Sequence, residues 1–392
     1  MRCDHDLVIV GGGPAGLSTA LFAAARDPSL SLRMVVLEKD PYPREKPCAG
    51  GLGGRADRAL ARIGVEVDVP SEWATGMSVA LPQGSFVRRE PHGRRIGRVV
   101  RRVEWDHRLA EIARARGIVV RDGVKVLRIE RDEDGVTVET SAGALRTRVL
   151  VGADGVGSLV RKTIAPGAAT WRAQVLEVDT EPVERDLPRD VWHFHITDPS
   201  FTGYLWDFPT IVDGREMICR GVYHLQMPGT HEADDLAGRL GRRLAEFGLD
   251  LGKCKRKRYA ERGFSAEEPH AGARVLLVGE AAGVDPITGE GIAQAVLSGE
   301  VAGPYLADRL RTGDLSFEDF PRTLARTVLG IDLRTRTALA SRLFGPSRAF
   351  YERGLYAVPD VVTLGVQYFG GWPLDLRLAA RVGASALWKR FA

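Results

Sequence analysis

The stretch DLVIVGGGPAG, residues 6–16, decides the fold of this 392-residue chain. Its apolar half predicts a buried strand, and Gly11, Gly13 and Gly16 have the GxGxxG spacing of a turn between a strand and a helix. A second apolar run, RMVVLE at residues 33–38, predicts the next strand. Strand, glycine-rich turn, helix and strand form a βαβ unit, which predicts a Rossmann-type nucleotide-binding domain.

The turn and the end of the second strand predict a dinucleotide site. Bare backbone at the glycines lets a pyrophosphate approach, and the helix that opens with Pro14 and Ala15 supplies N–H groups and partial positive charge. Glu38 and Lys39 are the candidate cofactor-binding residues at the end of this strand. Glu38 lies 22 residues after Gly16, where an acid accepts hydrogen bonds from ribose hydroxyls. An acid there disfavours a 2′-phosphate, so FAD or NAD is expected rather than NADP.

Two later segments have the same form, a glycine-rich turn directly after an apolar run. VLVGADG ends at Gly155, and RVLLVG leads into GEAAGVDPITGEGI, residues 279–292. Residues 171–225, rich in Val, Ile and aromatic residues, predict antiparallel strands. The predicted fold class is therefore α/β: a discontinuous Rossmann-type domain (1–75, 101–168 and 263–320), an inserted antiparallel β-rich substrate domain (76–100 and 169–262) and a helical C-terminal segment (321–392).

The overall composition excludes several classes of protein. A hydrophobic fraction of 44% and a net charge of +4 exclude a disordered chain, and the sequence has no run of about 18 apolar residues that would span a membrane. The four cysteines lie far apart without a CxxC pair, so neither a disulfide framework nor a metal or iron–sulfur site is expected. A cytoplasmic location fits this cysteine usage best.

The C-terminal segment, residues 321–392, differs from the rest of the chain in charge. It carries eleven Lys and Arg residues and four Asp and Glu residues, a net charge of +7, which leaves −3 for the remainder. No basic nucleic-acid-binding motif accompanies this charge, so no nucleic-acid partner is expected. The segment is predicted to cap an apolar cavity and to offer a peripheral contact with a membrane surface. Packed helices with solvated arginines are the alternative. Its aromatic residues are Phe344, Phe350, Tyr351, Tyr356, Tyr368, Phe369, Trp372, Trp388 and Phe391.

Five segments together resemble the geranylgeranyl reductase family within the FAD-dependent monooxygenase and halogenase superfamily. They are the GxGxxG turn, KPCAGG (46–51), GADG (152–155), YLWDFP (204–209) and the 279–292 segment. Members of that superfamily bind FAD, so the resemblance implies FAD rather than NAD. By position, it implies further FAD contacts from Arg44, Cys48, Ala49, Gly50, Arg102, Asp154, Gly155, Gly279, Glu280, Pro286, Gly289, Gly291 and Ile292.

Two of these segments supply candidates for the chemistry. In a strand, Tyr204, Trp206 and Phe208 share one face, where they either line an apolar substrate channel or form core. The resemblance places Cys48 near the flavin ring, where its thiol either donates a proton or only packs. Cys48, Tyr204 and Trp206 are therefore the candidate catalytic residues, and the three aromatic residues are candidate substrate contacts.

Structural roles are expected for three other titratable residues. Asp106, in the helix that begins near Arg102, is expected to be a first-turn acid with a capping role. His193 and His195 alternate along one strand and are expected to be polar strand residues rather than catalytic bases.

Three functions stay open at this point. The first is reduction of C=C bonds in a prenyl or other long apolar substrate by hydride from reduced FAD, with NAD(P)H, another external donor or an electron-donor protein as the source of electrons. The second is a monooxygenase acting on an aromatic, polyketide or terpenoid substrate, with halogenation as a minor variant. The third is a protein that binds FAD without turnover, such as a redox sensor. The KPCAGG and YLWDFP segments favour the first.

Overall fold

The structure is a computed structural model that describes residues 3–82, 84–167, 171–196, 198, 200–226, 235–345 and 360–388. Four aromatic residues of the C-terminal segment lie outside the described residues: Phe350, Tyr351, Tyr356 and Phe391.

The described residues form strands and helices that alternate along the chain. The strands are β1 (His5–Val10), β2 (Met34–Leu37), β3 (Gly51–Gly53), β4 (Ser71–Ala74), β5 (Gly76–Leu81), β6 (Gly84–Arg89), β7 (Gly97–Val100), β8 (Val119–Arg121), β9 (Val126–Arg131), β10 (Val136–Thr140), β11 (Gly143–Gly152), β12 (Trp171–Thr180), β13 (Val191–His195), β14 (Gly203–Val212), β15 (Arg215–Gln226), β16 (Lys257–Gly263), β17 (Ala271–Gly272) and β18 (Val275–Leu277). The helices are α1 (Pro14–Arg26), α2 (Gly54–Ala61), α3 (Arg102–Ala115), α4 (Leu236–Glu246), α5 (Ile292–Thr312), α6 (Phe320–Ala325), α7 (Val328–Leu343), α8 (Asp360–Gly370) and α9 (Leu376–Trp388).

The first sheet is built from segments that lie far apart in the sequence. Its strand order is β17-β18-β11-β1-β2-β8, and β18, β11, β1, β2 and β8 run parallel. Val10 is paired with both Leu37 and Gly152, so β1, β2 and β11 end at one edge of the sheet. Ligands bind at the carboxyl edge of such sheets. The register therefore brings together the glycine-rich turn after β1, the acidic end of the segment with β2 and the glycine-rich turn after β11.

The second sheet is almost entirely antiparallel. Its order is β16-β12-β15-β14-β13-β5-β6, and only the β13–β5 pair among these runs parallel. Helix α4 covers one face through Leu236, Leu240 and Leu244, because these residues recur on one side of the helix. The other face carries a cluster of aromatic side chains. Strands β3, β7 and β4 form a third, small sheet.

The C-terminal helix α8 is attached to the body of the protein by polar contacts. Arg55 of α2 contacts Glu290 at 2.5 Å and Asp332 at 3.0 Å. The Tyr368 hydroxyl of α8 donates to Asp332 at 3.0 Å, and Arg55 lies 4.0 Å from the centre of the Tyr368 ring. These contacts join α8 to α2, α7 and the loop before α5. No helix among the described residues is long and apolar enough to cross a membrane.

The predicted fold class is confirmed, since a parallel Rossmann-type sheet, an inserted antiparallel sheet and a helical C-terminal region are all present. The inserted sheet also takes β5 and β6 from early in the chain. The numerical domain boundaries stay a prediction.

Candidate functional site

A cavity of about 660 Å³ lies between the carboxyl edge of the first sheet and the aromatic face of the second. Most of the predicted site residues line it: Gly11, Gly13, Pro14, Ala15, Glu38, Lys39, Arg44, Cys48, Ala49, Gly50, Arg102, Asp154, Gly155, Tyr204, Trp206, Phe208, Glu280, Gly289, Gly291 and Ile292. Segments that are distant in the sequence therefore meet around one space.

Three predicted residues do not line the cavity. A Cβ on Gly16 would lie 1.9 Å from the Gly11 carbonyl oxygen, so Gly16 packs α1 against the turn. Gly279 lies against Ala15, where a Cβ would approach the Ala15 side chain to 2.5 Å. The Pro286 carbonyl accepts a hydrogen bond from the Tyr223 hydroxyl at 3.0 Å, and its ring lies against Gly263. For these three residues, the structure supports packing rather than ligand contact.

The GxGxxG turn presents bare backbone at the edge of the first sheet. Gly11 has φ +107°, a conformation that favours glycine, and a Cβ there would lie 2.2 Å from the Ala153 carbonyl oxygen. A Cβ on Gly13 would point toward the guanidinium groups of Arg102 and Arg44, at 3.5 and 3.7 Å. Exposed backbone N–H groups beside two arginines make a strong site for a pyrophosphate.

Glu38 connects the end of β2 to the glycine-rich turn. Its carboxylate accepts hydrogen bonds from the backbone N–H of Gly12 at 2.9 Å and of Asp40 at 3.2 Å. Arg44 lies 3.2 Å from the same carboxylate, and the side chain of Glu38 is buried. The carboxylate is thus fixed beside the cavity, where it can accept hydrogen bonds from a ribose.

Asp106 has a different role from the one predicted. It lies inside α3, beyond the first turn, and it is fully buried. Its carboxylate contacts Arg102 at 2.6 and 2.7 Å and Arg44 at 3.0 Å. The expected capping role is therefore wrong, because the carboxylate instead fixes the two arginines that flank Gly13. Its partner Arg44 is distant in the sequence, so helix position alone did not reveal this ion pair.

The second and third glycine-rich turns form the middle of the cavity. Asp154 caps its own turn by accepting from the Leu159 N–H at 2.7 Å and the Ser158 hydroxyl at 2.5 Å. A Cβ on Gly155 would lie 3.5 Å from a carboxylate oxygen of Glu280, so these two segments are adjacent. Burial raises the pKa of Glu280 above its ordinary value. Helix α5 begins here, with Gly291 preceding its first residue.

The KPCAGG loop, residues 46–51, lines the cavity between the GxGxxG turn and the aromatic side chains of the second sheet. The Cys48 sulfur accepts a hydrogen bond from the Gly50 N–H at 3.4 Å, and burial raises the pKa of the Cys48 thiol. Cys48 is therefore a neutral thiol at neutral pH. A Cβ on Gly51 would lie 3.4 Å from the Phe208 ring, so the loop and the wall are in contact.

Tyr204, Trp206 and Phe208 lie on one face of β14, as the alternation predicts, and all three line the cavity. Trp206 is paired across the sheet with Gly221, where a Cβ would lie only 2.1 Å from the indole ring. The glycine therefore creates the space that the indole occupies. The Tyr204 hydroxyl donates to the Thr288 carbonyl at 2.5 Å, so its proton is directed at backbone rather than into the cavity.

Several aromatic residues that line the cavity beside Trp206 and Phe208 were not predicted from the sequence. Trp192 and Phe194 of β13 and Phe369 of α8 also line the cavity. The ring centres of Phe194 and Phe208 are 5.2 Å apart, and those of Trp192 and Phe369 are 5.3 Å apart. The alternation in VWHFH, residues 191–195, places Trp192 and Phe194 on one face of the strand and contained this signal. Tyr223, Tyr259 and Glu261, also lining residues, were missed as well.

The histidines of β13 point to the opposite face of the second sheet. His193 is paired with Asp207 and its ring lies 6.1 Å from that of His195. Burial lowers the pKa of His193 to about 4, which keeps it neutral. Neither histidine lines the cavity described above. Asp207 on this face contacts Arg220 at 3.0 Å and Arg243 at 2.6 Å.

The residues of the cavity fit a bound FAD. The Gly13 backbone with Arg44 and Arg102 suits the pyrophosphate, and Glu38 suits the adenosine ribose. Gly289, with φ +62°, leaves bare backbone before the amino end of α5, whose partial positive charge suits the electron-rich edge of a flavin. A large aromatic wall adjoins this end. The donor set suits a flavin dinucleotide, and no group of side chains that could hold a metal ion is found among the described residues.

Comparisons with known proteins give the same result. Residues 4–315 match the family described as FAD binding domain. Digeranylgeranylglycerophospholipid reductase 2 of Methanopyrus kandleri is 29% identical over 342 residues, which cover 80% of this chain and 79% of that protein. Rifampicin monooxygenase of Streptomyces venezuelae is 28% identical over 307 residues, which cover 72% of this chain and 60% of that protein.

A solved structure has the same fold. A geranylgeranyl bacteriochlorophyll reductase-like protein from Thermoplasma acidophilum superposes with a TM-score of 0.68 at 21% identity, covering 97% of this chain and 91% of that one. At this identity the likeness concerns the fold. The family match over residues 4–315, taken with the sequence relatives, leads to one conclusion: the chain belongs to the FAD binding domain family and is an FAD-dependent oxidoreductase.

Proposed function

We propose that this protein reduces C=C bonds of a prenyl or other long apolar substrate. One observation carries the proposal: the wall of Trp192, Phe194, Trp206, Phe208 and Phe369 shares one cavity with the residues that fit FAD. A pocket with a large aromatic surface and few polar groups favours an apolar ligand. The relatives named digeranylgeranylglycerophospholipid reductase support this substrate class.

When bound and reduced, FAD supplies the hydride for such a reduction. The residues of this chain bind and orient the two reactants. The Arg44–Glu38–Asp106 contacts fix the dinucleotide end, while the aromatic wall surrounds the alkene and excludes water from it. Because Gly51 lies against Phe208, the wall and the loop that carries Cys48 form one continuous surface.

The electron donor is part of the same proposal. We propose NAD(P)H or another external donor, which includes an electron-donor protein, acting transiently at the cofactor. The C-terminal segment is proposed to cap the substrate end of the cavity, because Phe369 lines it. A peripheral contact of that segment with a membrane would bring a lipid substrate near the cavity.

The second candidate is an FAD-dependent monooxygenase. The similarity to rifampicin monooxygenase supports it, since that relative has comparable identity over 72% of this chain. Halogenation is a further, minor candidate. These reactions need O2, whereas the proposed reduction does not, so the two candidates can be separated without knowing the natural substrate.

The decisive experiment is anaerobic. The FAD-loaded protein is reduced with dithionite and mixed with geranylgeranyl diphosphate or a geranylgeranyl glycerolipid. Reoxidation of the flavin with a product heavier by two hydrogens per bond is expected. A saturated chain of equal length is the control and must leave the flavin reduced. If no unsaturated chain reoxidises the flavin faster than solvent alone, and a product gains one oxygen when air and NAD(P)H are present, the monooxygenase replaces this proposal.

A further inference from the structure

Glu261 is an acidic residue in the aromatic half of the cavity that no step above uses. It lies on β16, two residues after Tyr259, so both side chains share the face of the second sheet that lines the cavity. One carboxyl oxygen of Glu261 is buried without a hydrogen-bond partner. A Cβ on Gly289 would lie 2.5 Å from that oxygen. The carboxyl group therefore lies against the bare backbone of the third glycine-rich turn.

We propose that Glu261 is the proton donor of the reduction proposed above, an inference that rests on that proposed function. Addition of a hydride to one alkene carbon leaves the other carbon in need of a proton. A carboxylic acid in an apolar cavity can supply it, and such acids speed reactions by about 10²–10⁴-fold.

The surroundings of Glu261 favour the protonated form of its carboxyl group. Burial raises the pKa of Glu261 well above its ordinary value. The other groups that act on it are Glu280, Asp285 and Glu177, which raise the pKa further, and Lys46, which lowers it. Three tyrosines, Tyr204, Tyr223 and Tyr259, also interact with it.

The neighbouring hydroxyl groups already donate their protons elsewhere. Tyr204 donates to Thr288 at 2.5 Å, as described, and Tyr223 donates to the Pro286 carbonyl. The Tyr259 hydroxyl donates to a carboxylate oxygen of Glu177 at 3.0 Å. Of these groups, the Glu261 carboxyl is the one that lines the cavity with an oxygen that has no hydrogen-bond partner. The Cys48 thiol and the Glu280 carboxyl, which also line the cavity and whose pKa values burial raises, are the remaining competitors.

The proposed step balances in atoms and electrons. The O–H bond of Glu261 breaks as a C–H bond forms at one alkene carbon. The hydride that reduced FAD supplies forms the second C–H bond, so the alkene is reduced and the flavin is oxidised. The carboxylate of Glu261 then takes a proton from water. One hydrogen of the product comes from solvent.

The test compares four forms of the FAD-loaded protein: wild type, Glu261→Gln, Glu261→Asp and Glu90→Gln. Glutamine keeps the size of the side chain but cannot donate a proton of suitable acidity. We expect Glu261→Gln to slow anaerobic flavin reoxidation by geranylgeranyl diphosphate about 100-fold or more, with FAD affinity unchanged. Glu261→Asp is expected to restore part of the rate. Glu90→Gln, a buried acid that neither lines the cavity nor acts on Glu261, is expected to retain the wild-type rate.

Two readouts distinguish proton donation from a structural effect. The wild-type rate is expected to fall as the pH rises through the raised pKa of Glu261, while the Glu261→Gln rate stays flat. In the infrared spectrum of the protein without FAD, the wild type is expected to show a protonated carboxylic acid band at neutral pH that Glu261→Gln lacks. Absence of that band overturns the inference, since a carboxylate cannot donate.

Different results would overturn the proposed reduction of C=C bonds and the proposed role of Glu261 as proton donor. If wild type reoxidises the flavin and Glu261→Gln does so equally fast, the proposed function stands and the role of Glu261 is overturned. Cys48→Ala losing the reaction while Glu261→Gln retains it would assign the proton to the thiol. If wild type itself reacts with no unsaturated chain, the proposed function fails, and the donor role fails with it.

Discussion

At the scale of single residues, the cavity depends on side chains whose partners come from other segments. Glu38 is fixed by the Gly12 N–H and by Arg44, and Asp106 fixes Arg44 in turn. Each carboxylate both positions an arginine and shapes the surface offered to the dinucleotide. This explains why residues that do not reach the ligand still determine how it binds.

Replacement of Glu38 should weaken FAD binding. In Glu38→Ala the Gly12 N–H and the ribose hydroxyls lose a charged acceptor, worth about 1.5–3 kcal/mol. We therefore expect the FAD Kd to rise roughly 10- to 100-fold, measured by quenching of flavin fluorescence. Glu111→Gln, an exposed acid on α3, is the control and should bind FAD normally. An unchanged Kd in Glu38→Ala would contradict the assignment of Glu38 to the ribose.

Replacement of Gly221 should affect the substrate side of the cavity and leave FAD binding intact. A Cβ in Gly221→Ala would overlap the Trp206 indole and force it toward the cavity. We expect long-chain turnover to fall and the protein to be destabilised by about 1–3 kcal/mol, with the FAD Kd unchanged. Reoxidation rates with prenyl chains of increasing length would measure this. Equal loss for short and long chains would show that the indole does not line the substrate path.

At the scale of elements, strand β14 has two faces with different functions. Tyr204, Trp206 and Phe208 face the cavity, whereas Asp207 faces α4, where it contacts Arg220 and Arg243. The same six-residue segment thus lines the site and attaches the sheet to a helix. Substitutions on the two faces should therefore separate activity from stability.

Replacement of Asp207 should lower stability without changing the cavity. Removing one partner of a buried ion pair costs about 3–5 kcal/mol, so Asp207→Asn should unfold at a lower urea concentration. Burial opposes ionisation of Asp207, but Arg243 and Arg220 outweigh it and lower its pKa below the ordinary value. The contribution is thus present above the unfolded-state pKa and is lost as pH falls through the lower folded-state pKa.

Urea titrations of wild type and Asp207→Asn at several pH values measure this. The difference between them should shrink in acid. Asp40→Asn, an exposed acid, is the control for loss of charge alone. A difference that persists unchanged at the lowest pH would show that Asp207 acts through packing rather than through its ion pairs.

Features of the fold and of the site could be predicted from the sequence where residues close together in the chain create them, and not where remote residues do. The GxGxxG turn and Glu38 were predictable because neighbours along the chain create them. The pair of Asp106 with Arg102 was predictable too, since it has the i,i+4 spacing of one helix, whereas its contact with Arg44 was not, because Arg44 is remote in sequence. Glu261 lies in KRYAERG, where charged residues occupy both faces of the strand, so no periodicity marked its burial. Only the packing of β16 against the third glycine-rich turn reveals it.

At the scale of the whole molecule, the basic C-terminal region and the more acidic body meet at the cavity. Helix α8 supplies Phe369 to the aromatic wall and Tyr368 to the polar contacts with Arg55 and Asp332. One helix thus contributes both to the substrate surface and to its own attachment. Because Phe369 makes the first contribution and the adjacent Tyr368 makes the second, the two can be tested separately by substitution.

Removal of the C-terminal segment should impair long-chain turnover. We expect deletion of residues 345–392 to reduce the rate of flavin reoxidation by long chains and to lower thermal stability, because the wall loses Phe369 and the attachment loses Tyr368. Phe369→Ala should reproduce the loss of rate at little cost in FAD affinity, and Tyr368→Phe should mainly lower stability. Unchanged long-chain turnover after the deletion would refute the cap.

The contacts of Arg55 have a thermodynamic consequence. Arg55 joins Glu290, which lines the cavity beside the third glycine-rich turn, to Asp332 and Tyr368, which anchor α8. We therefore expect a ligand that contacts the turn to be coupled to α8 through Arg55. Such coupling is reciprocal, so any change that frees α8 must weaken that ligand by the same free energy. We therefore expect the affinity for the cofactor to depend in part on α8, which lies outside the motifs that bind the cofactor.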